Sequence, residues 1–400
     1  MIDTPLALHN LRVLDLTEAM AGPYASMMLG DLGADVIKIE RPGAGDMSRG
    51  WGPPFREGES GYFLSANRNK RSLTLNLASD AGREIFHRLV AGADVLLINQ
   101  PRLESLQRLQ ADYASLSALN PRLIYCSITG YGMTGPYAGR SGYDLAAQGE
   151  SGTMALTGEP DGPPVRYPVP ISDITAGLYT TIAAVTALYA REHTGRGQFI
   201  DTALLDSQIT WLTNLAGAYF MSGKPPRKLG NYHPQIAPYE PFQAADKPFL
   251  VAVGSERLWE CFCQALGITA TIGADPRFGA NADRLRYRFE LRAELEPIFA
   301  TQPAEHWLAA MRTAGIPCGP INDMDEALAD EHVLARGMVV GMEHPTVGPI
   351  RVVGNPMHFS HTPPSYRLPP PTLGQHTAAI LHDLGYDDAA IAGLRGQGVI

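Results

Sequence analysis

Two stretches of this chain carry residues that could do chemistry. The first is SITGYGMTGPYAG (127–139), where Gly130, Gly132 and Gly135 reproduce the G-x-G-x-x-G spacing of a dinucleotide-binding loop after a strand-like RLIYCSI (122–128). The second is PVPISDITAG (168–177), where one carboxylate, Asp173, precedes a long apolar run. A glycine loop cradles pyrophosphate only if its last glycine opens a helix, whose N-terminal N–H groups then face the anion. Gly135 is instead followed by Pro136, Tyr137, Ala138, Gly139, Arg140 and Ser141, with no apolar periodicity. The acidic residue expected about twenty positions further on, after a second strand, is missing. The glycines read instead as sharp turns at the C-terminal edge of a sheet, where ligands of α/β proteins sit.

Asp173 has two readings. As a helix N-cap it would only accept hydrogen bonds from the first turn. As a nucleophile it would attack an acyl group and become covalently acylated. A helix N-terminus favours its ionised form by roughly 0.3–1 kcal/mol, too little to supply catalysis, which must come from positioning and oxyanion donors. No Walker loop, H-E-x-x-H or G-x-S-x-G occurs, and the histidines form no ligand-spaced pairs, so no metal site is expected.

The elements that would position these residues alternate in type. RVLDL (12–16), DVIKIE (35–40), SLTLNL (72–77), DVLLIN (94–99) and RLIYCSI read as strands. PYASMMLGDLG (23–33) and DAGREIFHRLVAG (80–92) read as helices, the latter with Asp80 as N-cap and Gly92 past its end. A helical stretch to about 118 follows. This alternation predicts an α/β fold with a parallel sheet covered by helices. A turn-rich region (129–170) leads into one long helix over 171–195, then a strand-like QFIDTAL (198–204). The style changes at a Pro- and Lys-containing linker, 221–242. We divide the chain into a first large-domain part (1–220), a smaller domain (226–335) and a C-terminal return (336–400). That return starts with β-hairpin material and runs through an extended proline-rich stretch (361–376) to a final helix (376–384).

With 400 residues, 45% apolar and 18% charged, the composition is globular. The net charge of −9 argues against a nucleic-acid partner, which needs a clustered basic surface. The charge-free run ITAGLYTTIAAVTALYA (174–190) falls short of the roughly twenty residues of a membrane span. MIDTPLALHN lacks the basic and apolar regions of a secretory leader. Four scattered cysteines form no disulfide framework. The expectation is a soluble cytoplasmic protein with no membrane attachment.

Several segments together resemble family III CoA-transferases (the CaiB/BaiF type), the group that includes formyl-CoA:oxalate CoA-transferase. They are LRVLDLTEAMAGPYASMMLGDLGADVIKIERPGAGDMSRGW, NRNKRSLTLNL, NPRLIYCSITGYGMTGPYA, LTGEPDGPPVR, HTGRGQFID and PTLGQHTAAILHDLGY. The resemblance spans nearly the whole chain. It implies a Rossmann-like large domain built from both chain ends, a smaller central α+β domain, and a homodimer of two interlocked chains. It implies that Asp173 attacks an acyl-CoA to form a mixed anhydride, then an aspartyl-CoA thioester. No cofactor would be held permanently; the coenzyme A thioester is substrate. Position by position it implies coenzyme contacts at Met20, Ala21, Arg41, Leu75, Asn76, Asn99 and Arg108, with Arg140, Tyr143 and Asp144 near the thioester.

Departures bear on the acceptor. QPRLES follows Asn99 where the family often has aromatic-Arg-Pro-Gly, one residue shorter, which touches the Arg108 assignment. Met20 stands where the oxalate enzymes carry glutamine, and the loop-like PYEPFQAADKPF (238–249) lacks their glycine run. These favour a larger, dicarboxylic acceptor with succinyl-CoA or a similar donor, and Arg49 or Arg71 as partner of its second carboxylate. Two rival readings are an α-methylacyl-CoA racemase, whose Gly-His-Asp is Gly142-Tyr143-Asp144 here, and an acyl-CoA-binding protein without catalysis. Tyrosine, with a pKa near 10, is a poor base at neutral pH.

Overall fold

A computed structural model describes residues 6–400; residues 1–5, half of the stretch read for a leader, lie outside the described residues. Six strands form one parallel sheet: β1 (Arg12–Leu16), β2 (Asp35–Glu40), β3 (Lys70–Thr74), β4 (Val95–Ile98), β5 (Ile124–Thr129) and β6 (Phe199–Ala203). Their order is β3-β2-β1-β4-β5-β6. The order reverses between β1 and β4, which opens a crevice at the C-terminal ends of those two strands.

Both faces of the sheet are covered, and the period of two along each strand divides its side chains between two cores. Leu14, Ile37, Leu73, Leu96 and Tyr125 face one core. Val13, Val36, Val95, Ile124 and Cys126 face the other. The helices that matter for the site are α1 (Ala21–Asp31), α2 (Gly61–Ser65), α3 (Asp80–Ala91), α4 (Leu103–Arg108), α5 (Tyr113–Leu119), α6 (Asp144–Glu150), α7 (Ile171–Thr194) and α8 (Leu204–Ile209). α3 is capped by Ser79, whose Oγ accepts from Gly82 N, and not by Asp80 as the sequence suggested. The expected helical stretch before β5 is two short helices, α4 and α5, because Gln110 turns the chain with a φ of +51°. α7 ends where Gly195 adopts a φ of +69°.

The C-terminal segment closes the edge that β3 would otherwise present. Asn69 N donates to Leu368 O, His376 N to Ser72 O, and Thr74 N to Thr377 Oγ1. Its hairpin pairs Val339–His344 with Gly348–Val353. An edge strand left bare would template pairing with another chain.

The chain divides into two compact units, residues 1–153, 166–222 and 331–400, and residues 154–165 with 223–330. Residues 154–165 thus group with the second unit, away from the sequence neighbours with which the sequence reading placed them. In that unit three antiparallel strands, Tyr239–Gln243, Pro248–Ala252 and Cys318–Pro320, pack on helices around Phe242, Phe249, Phe262 and Phe299. PYEPFQAADKPF, read as a loop, is therefore most of a β-hairpin.

Candidate active site

Asp173 is the third residue of α7, not its N-cap: Pro170 holds that position and has no capping side chain. The capping oxygen comes from another helix. Asp144, the first residue of α6, is buried, and its Oδ1 accepts from Ser172 N at 2.8 Å. Its Oδ2 accepts from Gln148 Nε2 at 2.7 Å. Gln148 in turn accepts from Tyr167 N at 2.8 Å, which pins the chain just before α7.

Asp144 thereby takes the Ser172 N–H of the first turn, and the half-buried Asp173 carboxylate stands beside it. No hydrogen bond or ion pair to Asp173 occurs among the described residues. Burial pushes its pKa up to about 7, helped by the neighbouring Asp144 carboxylate. Tyr62 on α2 shares this environment: burial and then the carboxylates of Asp173, Asp144 and Asp46 drive its phenol pKa upward. Trp51 packs edge-on against the Tyr62 ring with centroids 4.9 Å apart. The sequence reading missed Tyr62 and Trp51, since nothing in local spacing ties them to Asp173.

At the crevice, the loop after β1 is held from several sides. Asn99, directly after β4, donates from Nδ2 to Glu18 O at 2.9 Å and accepts from Glu18 N at 3.3 Å. Arg41, just past β2, reaches Glu18 Oε1 at 3.1 Å. Met20 and Ala21 form the start of α1. Met20, Ala21, Arg41 and Asn99 thus converge at the C-terminal edge. Leu75 and Asn76 follow β3 at that same edge, but the Leu75 side chain is in the core and its N–H donates to Glu40 O, while the Asn76 N–H donates to Val399 O.

Other expected residues are placed differently. Arg140 lies against the rings of Tyr131 and Tyr137, at 4.6 and 4.4 Å, and pairs with Glu150. Tyr143 is 61% exposed. Arg108 ends α4 exposed, with no hydrogen bond or ion pair to any other expected residue. Arg49 is engaged by Glu40 at 2.7 and 2.9 Å and stacks on Phe63. Arg71 is engaged by Asp35 and Asp383, and Asp35 begins β2, at the edge opposite the crevice. Neither guanidinium is open to an acceptor acid.

The glycine loop opens no helix. A Cβ on Gly130 would stand 2.6 Å from the Gly142 Cα, so these glycines let two backbone segments touch, while Gly132 and Gly135 supply turns with φ of +86° and +82°. No cluster that could hold a metal occurs among the described residues.

The family model "CoA-transferase family III" matches residues 8–377. The chain is 42% identical to succinyl-CoA:glutarate CoA-transferase of Mus musculus, over 100% of this chain and 91% of the mouse protein. It is 43% identical to succinate--glutarate CoA-transferase of Agrobacterium fabrum, over 94% and 95%, and 39% identical to acetyl-CoA:oxalate CoA-transferase of Acetobacter aceti, over 95% and 96%. The crystal structure of a CAIB/BAIF family protein from Brucella suis superposes with a TM-score of 0.84 at 42% identity, covering 95% of this chain and all of that one.

Proposed function

The chain belongs to CoA-transferase family III, and from that premise we propose that it transfers coenzyme A from succinyl-CoA to a dicarboxylic acid through covalent acylation of Asp173. The choice of succinyl-CoA and a glutarate-like acceptor is supported by relatives 42–43% identical over nearly their full length.

The observation that carries the reading is an unengaged, half-buried carboxylate at the head of α7 with its pKa pushed up to about 7. Its ionised form attacks the thioester carbonyl; the C–S bond breaks, giving an aspartyl mixed anhydride and coenzyme A thiolate. The thiolate attacks the aspartyl carbonyl and expels the donor acid as its carboxylate, leaving an aspartyl-CoA thioester. The acceptor carboxylate then attacks this thioester, and the released thiolate takes the acceptor's acyl group and restores Asp173. A carboxylate already stripped of most hydration attacks without first shedding water. The crevice between β1 and β4 suits the nucleotide end of the coenzyme.

The same reading makes the protein a cytoplasmic homodimer of interlocked chains. Its four cysteines are free. α7 is long and apolar enough to cross a membrane by length and composition alone, but half of its apolar stretch is buried inside the molecule. The remaining face leaves Leu178, Ile182, Val185 and Tyr189 exposed at helical spacing, a surface suited to a second copy.

The test is incubation of purified protein with succinyl-CoA and a panel of dicarboxylic acids, followed by mass spectrometry of the coenzyme A esters. Hydroxylamine should trap a modification at Asp173, and Asp173→Ala should lower turnover by about 10³-fold or more. Unimpaired exchange in that variant overturns the mechanism. Deuterium entering the α-carbon without exchange would instead favour a racemase.

A further inference from the structure

We infer that Lys38 and Asp46 are positioning residues for the coenzyme: their buried ion pair sets the backbone of residues 17–19 in the conformation that acyl-CoA meets. This rests on the transferase reading above, with the loop after β1 as part of the coenzyme site.

Lys38 lies on β2 in register with Asp15 on β1, and its side chain is wholly buried. Its Nζ donates to Thr17 O at 2.9 Å and lies 2.8 Å from Asp46 Oδ2. The other Asp46 oxygen accepts from Ala19 N at 3.0 Å and from Ser48 N at 2.8 Å. With Asn99 holding both backbone groups of Glu18, four consecutive polar backbone groups are gripped, from Thr17 O to Ala19 N.

The gripped conformation is not one the chain takes by itself. Ala19 has a φ of +69°, where a Cβ is disfavoured, and such a residue persists only when its surroundings over-determine it. Directly after it, Met20 and Ala21 open α1 without a side-chain cap, so the direction of that helix end depends on the loop.

Stability alone does not call for this pair. A buried ion pair is often replaceable by apolar side chains without loss, because desolvation offsets the attraction. An apolar pair, however, would offer neither the donor for Thr17 O nor the acceptor for Ala19 N. The charge count is also closed without it: Asp15 retains Lys70 at 3.0 Å, so removing Lys38 and Asp46 together leaves no uncompensated charge.

The double variant Lys38→Met with Asp46→Leu provides the test. It is expected to fold but to melt below the unmodified enzyme, because Thr17 O, Ala19 N and Ser48 N lose their partners, while the KM for acyl-CoA rises about tenfold or more. Turnover at saturation and the KM for the acceptor acid should stay within about threefold. A folded variant with an unchanged acyl-CoA KM overturns the inference and leaves the transferase reading intact. Absence of acyl-CoA binding by the unmodified enzyme removes both. Should the variant not fold, hydrogen exchange on the unmodified, coenzyme-free enzyme decides: slow exchange at the Ala19 amide supports a preset loop, and exchange as fast as in an open chain overturns it.

Discussion

Asp173 occupies the third position of its helix, and the consequence is electrostatic. Burial without a compensating bond, and then the neighbouring Asp144 carboxylate, raise its pKa to about 7. In the proposed mechanism the nucleophile is the ionised form, so kcat/KM should fall as pH drops, with an acid limb centred near pH 7 in the free enzyme. Asp144→Asn removes the neighbouring charge and should move that limb to lower pH; a limb that stays put would contradict the coupling. Stability follows the opposite sense. A carboxyl whose folded pKa lies above its unfolded value costs nothing at pH below about 4 and destabilises progressively up to about pH 7. Asp173→Asn should therefore stabilise the protein by roughly 1–3 kcal/mol at pH 8 and not at pH 4, measured by denaturant melts at both values. Asp173 stands out in the sequence as a candidate because of its place in a long motif. Tyr62, 111 positions upstream, was not, since only the fold brings its ring towards the same carboxylates.

At the scale of elements, the fit of α7 to α1 depends on Gly177, one turn beyond Asp173. A Cβ there would stand 2.7 Å from Ala21 O, a backbone atom that cannot swing aside. Gly177→Ala should push α7 away from the start of α1, destabilising the protein by about 1–3 kcal/mol and raising the KM for acyl-CoA; a melt and a kinetic assay check the two together. The strands were readable because their apolar runs are dense, and the long helix because its run ends at a glycine. α6 was not seen: DLAAQGE is short, contains a glycine and has no strong apolar face. The hairpin at 239–252 was disguised by Pro241 and Pro248, which prove compatible with strand because one lies on an edge strand and the other begins its strand. Lys38 and Glu40 show the limit of alternation: on a sheet covered on both faces, charged strand residues find buried partners instead of water.

For the whole molecule, the exposed apolar face of α7 yields a prediction about assembly. Ile182 is 60% and Tyr189 71% exposed, more than an isolated chain gains by showing such residues to water. Sedimentation of the unmodified protein should give a dimer, and Ile182→Glu with Tyr189→Glu should weaken it; a monomeric unmodified protein removes the dimer reading. Local pattern alone determined the parallel α/β class, the long helix and the family, and singled out Asp173 as the candidate nucleophile, because each is written in contiguous residues. Only the tertiary structure decided that Arg49 and Arg71 are already engaged, that Asp144 caps α7, and that Lys38 and Asp46 grip the loop after β1. Those facts depend on which side chains meet across tens to hundreds of positions, and burial, by removing water as the alternative partner, is what makes each such meeting obligatory.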